Sequence, residues 1–197
     1  RSGDVCQGMA IVREGTMQRH QSYDAGTFTN ARHETTPLCY EVTERMKPTY
    51  IIEPEILFGL NLQHRNTWRA ETTCHLTLIG KNDIRKTLMY VPVWRINFMN
   101  MLCTQLQKSM DEGLPKATPS MKERVKRYIL RHSSPRGISL EMAITIEQIG
   151  YALGFDRRSV AKVVAQLEDE GLLEKQRQKL IISNLELLRA NAEIKNE

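Results

Sequence analysis

The sequence predicts an α+β chain: an antiparallel, β-rich amino-terminal half, then one long helix, then a small helical domain closed by a two-stranded hairpin. Three observations predict it. Up to about Leu78 the apolar runs are short and separated by turn residues. From Trp94 to Met110 apolar residues recur at helical spacing, and beyond Ser120 two capping signatures and a glycine stop mark successive helices. With 197 residues, 41% of them hydrophobic, the chain can bury one or two cores.

Composition narrows the class further. No apolar run approaches the roughly 18 residues of a membrane helix, and residues 1–10 lack the apolar stretch of a secretory signal, so a cytoplasmic protein with no membrane partner is expected. Cys6, Cys39, Cys74 and Cys103 are scattered, with no CxxC pair and no His at zinc spacing; reduced thiols and no metal site are expected. The net charge of +5 is compatible with a polyanionic partner. No nucleophile–base spacing or phosphate-cradling glycine loop stands out, so the chain is read as having no catalytic residues and as not an enzyme.

Strands are predicted at Gly8–Arg13, Leu38–Thr43, Thr49–Ile52 and Trp68–Ile79, punctuated by Asp24-Ala25-Gly26, Lys47-Pro48 and Asn66. Such spacing reads as a small sandwich or barrel. After Gly80, KNDIRKTLMYV reads as a short helix that Pro92 separates from the long one. In the long helix Ile96, Met99, Cys103, Leu106 and Met110 form a drifting a/d seam, and Trp94, Phe98 and Leu102 form a second apolar stripe beside it. Either one stripe packs at home while the a/d seam meets a partner helix in a dimer, or both bury in one monomer.

DEGLPKATP, Asp111 to Pro119, is the linker candidate, having glycine, two prolines and no periodicity. The expected domains are therefore 1–92, a β-barrel that is incomplete at its amino end, 93–116, a dimerisation helix with linker, and 117–197. Ser120 to Glu123 is an S-x-x-E capping box ahead of Met121, Val125, Tyr128 and Ile129. Thr145 to Gln148 is a second box, T-x-x-Q; Gly154 ends that short helix, and Asp156 can cap the next.

Two short helices around a glycine turn make a helix-turn-helix, whose second helix enters the DNA major groove amino end first. In GFDRRSVAKVVAQLEDEGLL the inward stripe is Val160, Val163, Val164 and Leu167, which leaves Arg157, Arg158, Ala161, Lys162 and Ala165 outward. Cations in a first turn oppose the helix dipole by a few tenths of a kcal/mol, whereas arginine on guanine is worth about 1–3 kcal/mol of discrimination. Basic residues on a helix are commonly only a solvated face. Context favours DNA, because Leu172 to Lys175 and Lys179 to Ile182 read as the strands of a wing, with Lys175, Arg177 and Lys179 available for phosphates.

TIEQIGYALGFDRRSVAKVVAQLEDEGLLEKQRQKLIIS resembles the DNA-binding segment of the CRP/FNR superfamily of bacterial transcription regulators. AETTCHLTLIGKNDIRKTLMYVP and VWRINFMNMLCTQLQK are similar to the last strands of that family's cupin-like, cyclic-nucleotide-binding-type barrel and to its dimerisation helix. The resemblance implies a homodimer on a palindromic operator of double-stranded DNA, with RNA polymerase as a further partner. It implies base reading by Arg157, Arg158 and Lys162 and phosphate contacts by Ser159, Thr145 and Gln148. An effector would sit in the barrel, but the Gly-Glu and Arg-Ser pairs of cyclic AMP binders are not matched. Phe58-Gly59-Leu60 lacks the glutamate and Arg65 precedes Asn66, so an effector other than cyclic AMP is expected, with Arg65 and Arg69 as its phosphate candidates. The cysteines form no iron-sulfur cluster pattern. The alternative is a ligand-sensing or interaction module whose winged helix binds a protein.

Overall fold

The computed structural model describes residues 1–29, 33–111 and 120–193. Its strands are β1 (Gly8–Glu14), β2 (Met17–Thr29), β3 (Thr35–Met46), β4 (Tyr50–Ile51), β5 (Thr67–Ala70), β6 (His75–Gly80), β7 (Gly137–Met142), β8 (Glu174–Gln176) and β9 (Lys179–Ile182). The helices are α1 (Lys81–Lys86), α2 (Pro92–Asp111), α3 (Met121–Leu130), α4 (Ile146–Leu153), α5 (Arg157–Asp169) and α6 (Leu185–Glu193). They divide into two compact units, one of Arg1–Met17 with Lys47–Ala117, the other of Gln18–Met46 with Thr118–Glu197.

In the first unit β1 lies between β4 and β6. It pairs antiparallel with β6 from Gly8 opposite Gly80 to Val12 opposite Leu76, and a bulge follows before Glu14. Its core gathers Cys6, Met9, Ile56, Leu57, Ile84 and Phe98. Helix α2 starts at Pro92, where a ring without an N–H costs no intrahelical bond. Trp94 and Phe98 stack at 5.1 Å, and Phe98 carries that stripe into the core.

In the second unit the strands run in the order β2-β3-β7-β9-β8. Antiparallel pairing joins Val42 to Met142 and Leu140 to Ile182. Helices α3, α4, α5 and α6 close the core over the sheet with Val125, Ile129, Ile149, Val164, Leu167 and Leu188.

The α+β class holds, but the amino-terminal strands do not close into a barrel. β2 and β3 join the second unit's sheet, so Gln18–Met46 falls outside the unit that the expected bounds 1–92 assign it to. The cause is visible in β3, where Leu38, Tyr40, Val42, Glu44 and Met46 alternate inward. Tyr40 and Val42 share the core of Leu140 and Ile182, and burying that face there removes it from water. The single strand expected at Trp68–Ile79 is two, because the amides of Glu71 and Thr72 turn to Thr16 O at 2.9 and 3.4 Å. The sequence reading does not anticipate β2, β7 or α6. The linker candidate lies, after Asp111, outside the described residues.

Candidate nucleic-acid interface

Local chemistry builds the helix pair of the second unit. Thr145 caps α4 with both bonds of a capping box: its side chain accepts from Gln148 N at 3.2 Å, and Gln148 Oε1 accepts from Thr145 N at 2.9 Å. Gly154, at φ 70° in the left-handed region, ends the helix without the strain a Cβ would bring. The turn folds back so tightly that a Cβ on Gly150 would lie 2.7 Å from Phe155 O. Arg124 of α3 clamps this turn, its guanidinium 4.4 Å above the Phe155 ring and its Nη2 donating to Leu153 O at 2.7 Å. Asp156 then caps α5, accepting from Ser159 N at 2.9 Å, and hydrogen bonds from Ser159 hold its carboxyl below the ordinary range.

Helix α5 is sorted by face. Val160, Val163, Val164 and Leu167 are buried, whereas Arg157, Arg158, Lys162 and Ala165 are exposed. No side-chain partner engages the three cations among the described residues. The acidic far end has structural work that sequence reasoning missed. Glu168 Oε1 accepts from Lys175 N at 2.8 Å, fixing the start of the wing, and Glu170 pairs with Lys122 of α3.

The wing is β8 and β9, paired from Glu174 opposite Ile181 to Gln176 opposite Lys179. Lys175 and Arg177 are exposed. Lys179 is half-buried and pairs with Glu141 at 2.9 Å. Arg177 and Lys179 line a cleft together with Thr145, Gln148 and Cys39. In it Gln148 is already committed: besides its capping bonds, Nε2 donates to Pro37 O at 3.4 Å and to Cys39 O at 3.3 Å. The expected phosphate contact of Gln148 is thus not open to its side chain in this arrangement, because both ends of the amide have partners. The backbone amide of Ser159 donates to Asp156, and its hydroxyl also bonds that carboxyl.

In the first unit the a/d stripe of α2 is uncovered: Ile96, Met99, Cys103, Leu106 and Met110 are all exposed, while Trp94, Phe98 and Leu102 pack at home. Arg65 and Arg69 are exposed. The loop holding Arg65 is organised by the buried Glu53, a residue that sequence reasoning missed. Its Oε1 accepts from Arg65 N and Asn66 N at 3.0 Å each, and His64 Nδ1 lies 2.6 Å from its Oε2. Among the described residues no group of His, Cys, Asp and Glu could hold a metal, and no helix is long and apolar enough to cross a membrane.

Residues 123–191 match the model of the Crp-like helix-turn-helix domain, the same family that the recognition-helix and wing residues resemble. No curated protein matches the chain. Among solved structures it is similar to a CRP-family transcriptional regulator from Thermus thermophilus, with 19% identity over 97% of this chain and 90% of the other, and a TM-score of 0.41. It is also similar to the catabolite activator protein of the same organism, with 16% identity over 97% and 83% and a TM-score of 0.39. The c-di-GMP responsive global regulator CLP of Xanthomonas campestris matches at 16% identity over 92% and 87%, with a TM-score of 0.44.

Proposed function

We propose that this chain, a CRP/FNR-type transcription regulator by the family of its carboxy-terminal domain, works in the cytoplasm as a homodimer that binds a palindromic operator. The observation that carries the reading is the sorting of α5. Its apolar face buries Val160, Val163, Val164 and Leu167, and its first two turns leave Arg157, Arg158 and Lys162 exposed, with no side-chain partner among the described residues. Arginine there can donate two bonds to guanine N7 and O6. Lys175 and Arg177 on the wing supply phosphate contacts that set position without sequence.

The uncovered stripe Ile96, Met99, Cys103, Leu106 and Met110 supports pairing of two α2 helices. Two recognition helices joined in this way would read half-sites about one DNA turn apart. A signal received by the first unit acts through its differential affinity for two arrangements of the dimer. The loop of Glu53, Arg65 and Asn66 differs in residue type from the cyclic AMP cradle, which supports another effector.

Selection of bound sequences from a random duplex pool, followed by titration of the winner at two salt concentrations, tests the reading. The expected result is a palindrome whose affinity falls steeply with salt as phosphate counterions are released. Failure to enrich any sequence, together with flat salt dependence, would overturn it.

A further inference from the structure

The loop between β4 and β5 is built around one carboxylate. Glu53 is buried, and donors from three consecutive residues, His64, Arg65 and Asn66, converge on it. Its Oε1 accepts from the amides of Arg65 and Asn66 at 3.0 Å each and from Asn66 Nδ2. His64 Nδ1 lies 2.6 Å from Oε2 and, because a carboxylate only accepts, presents an N–H there. Asn66 turns its Nδ2 to the carboxylate even though this leaves Oδ1 buried with no partner among the described residues. Successive backbone amides pointing into one concavity make an anion-binding site.

The backbone that carries these donors is fixed from its other side, independently of Glu53. Gly3 N donates to His64 O at 2.8 Å, His64 N to Asp4 O at 2.9 Å, and Cys6 N to Leu62 O at 2.8 Å. Ser2 Oγ donates to Arg65 O at 3.2 Å. The donor set is therefore organised in advance of its anion. Glu53 itself sits at φ 41° and ψ 60°, in the left-handed region that glycine enters freely and a glutamate enters at a cost. A glycine there would keep the course of the chain without the strain. What the glutamate adds is the anion.

We propose that His64, Arg65 and Asn66 form a cradle for a carboxylate or phosphate oxyanion, and that Glu53 fills it from within, so that the loop takes no diffusible anion in the parent chain. The amide of Arg65 is spent inside the cradle while its side chain stays in solvent. For the regulator proposed above, an effector bearing a free phosphate or carboxylate then does not seat in this cradle, and the signal enters the first unit elsewhere. That consequence rests on the DNA-binding reading; the cradle itself does not.

The test empties the cradle in the full chain. In Glu53→Gly, hydrogen exchange at the amides of Arg65 and Asn66 is followed in sodium chloride and in sodium phosphate of equal ionic strength, with sodium acetate as a second probe. Exchange in chloride should be at least about ten-fold faster than in the parent, and phosphate or acetate should slow it again in a saturable way. At about 100 mM phosphate the melting midpoint of the variant should rise about 3–6 °C more than that of the parent, for a site constant of about 10 mM. The parent control subtracts phosphate held by cations elsewhere. Fast exchange that neither anion slows would overturn the cradle and leave Glu53 as a packing side chain. Slowing of the same amides by phosphate in the parent would overturn the claim that Glu53 fills it.

Glu53→Gln guards against a glycine variant that does not fold. It keeps the shape but only one acceptor oxygen, so exchange at the two amides should be several-fold faster than in the parent. Parent-like exchange would show that the cradle does not select an anion and would sink the proposal. None of these readouts involves DNA, so their failure leaves the operator selection standing, and a failed operator selection leaves the cradle standing.

Discussion

In the sheet of the second unit, a long hairpin lies on one side of β7 and the short wing on the other, in the order β2-β3-β7-β9-β8. The wing strand β8 is exposed at every residue, Glu174, Lys175 and Gln176. β3 alternates strictly, with Leu38, Tyr40, Val42, Glu44 and Met46 turned inward. β9 pairs with β7 and buries Leu180 and Ile182, whereas β8 is tied at its start through Glu168 at Lys175 and the buried Leu172 and Leu173, and its own side chains remain in solvent. β3 is held along its length by its inward face, while β2 beside it leaves Asp24 to Thr27 exposed. β8 is a surface tool; β3 is part of the core that supports it.

The largest test of that contrast is stability. Tyr40→Ala should destabilise the second unit by about 3–5 kcal/mol, since it opens a cavity among Val42, Tyr128 and Leu140 and leaves His132 Nε2 and Tyr128 OH without their partner. Lys175→Ala on the exposed wing should move stability by no more than about 0.5 kcal/mol. Denaturant titration of both variants measures the difference, and similar values for the two would mean that the long hairpin is not seated in solution.

These two hairpins also differ in how far the sequence reveals them. The wing is readable because its strands meet at the polar Arg177 and Gln178 and follow directly on a helix with a clear inward stripe. β7 is not, because Pro135 and Gly137 read as helix terminators, and nothing local marks Gly137 as the first residue of a strand. Without β7 the pairing of Val42 with Met142, a hundred positions away in the chain, has no visible partner. β2 mixes polar residues on both faces and contains Gly26, so its alternation is weak. In α4 and α5 the reading succeeds because Thr145, Gln148, Gly154 and Asp156 specify their helix ends by bonds within three or four residues. Glu53 and Glu44 escape it for the opposite reason, since their partners lie at Asn66 and Ser134 and no spacing announces them.

Base reading comes next in size. Arg157→Ala should cost about 1–3 kcal/mol on the selected operator and relax preference at one position of each half-site. Equal loss on operator and random DNA would move Arg157 from reading bases to holding phosphates.

The seat of the long hairpin should also respond to pH. Burial pushes the Glu44 carboxyl up to about 7, against the pull of Arg19, the amide of Ser134 and Arg189, which is itself influenced by Glu186. A raised carboxyl pKa favours the protonated form in the folded unit. The stability it contributes is complete below the unfolded value near 4.5 and is lost as pH rises through about 7. His132 runs the other way: burial lowers its pKa, so its contribution is present above its unfolded value and fades as pH falls. Glu44→Gln should therefore gain roughly 2–3 kcal/mol over the parent between pH 5 and pH 8 in urea midpoints converted to free energy. An unchanged difference across that range would mean that Glu44 is ionised throughout.

The smallest effects should separate residues within the wing itself. Arg177 is exposed, so Arg177→Ala should weaken binding to all duplexes alike, by less than about 1 kcal/mol at physiological salt, and reduce the salt slope by about one. Lys179 must first give up Glu141, an exposed ion pair worth about 0–1 kcal/mol, before it can neutralise a phosphate. Lys179→Ala should thus reduce both affinity and salt slope less than Arg177→Ala does, and Glu141→Gln should bring Lys179 up to the level of Arg177. If Glu141→Gln leaves the salt slope unchanged, Lys179 belongs with β3 as a residue committed to the protein, and the DNA-facing part of the wing narrows to Lys175 and Arg177.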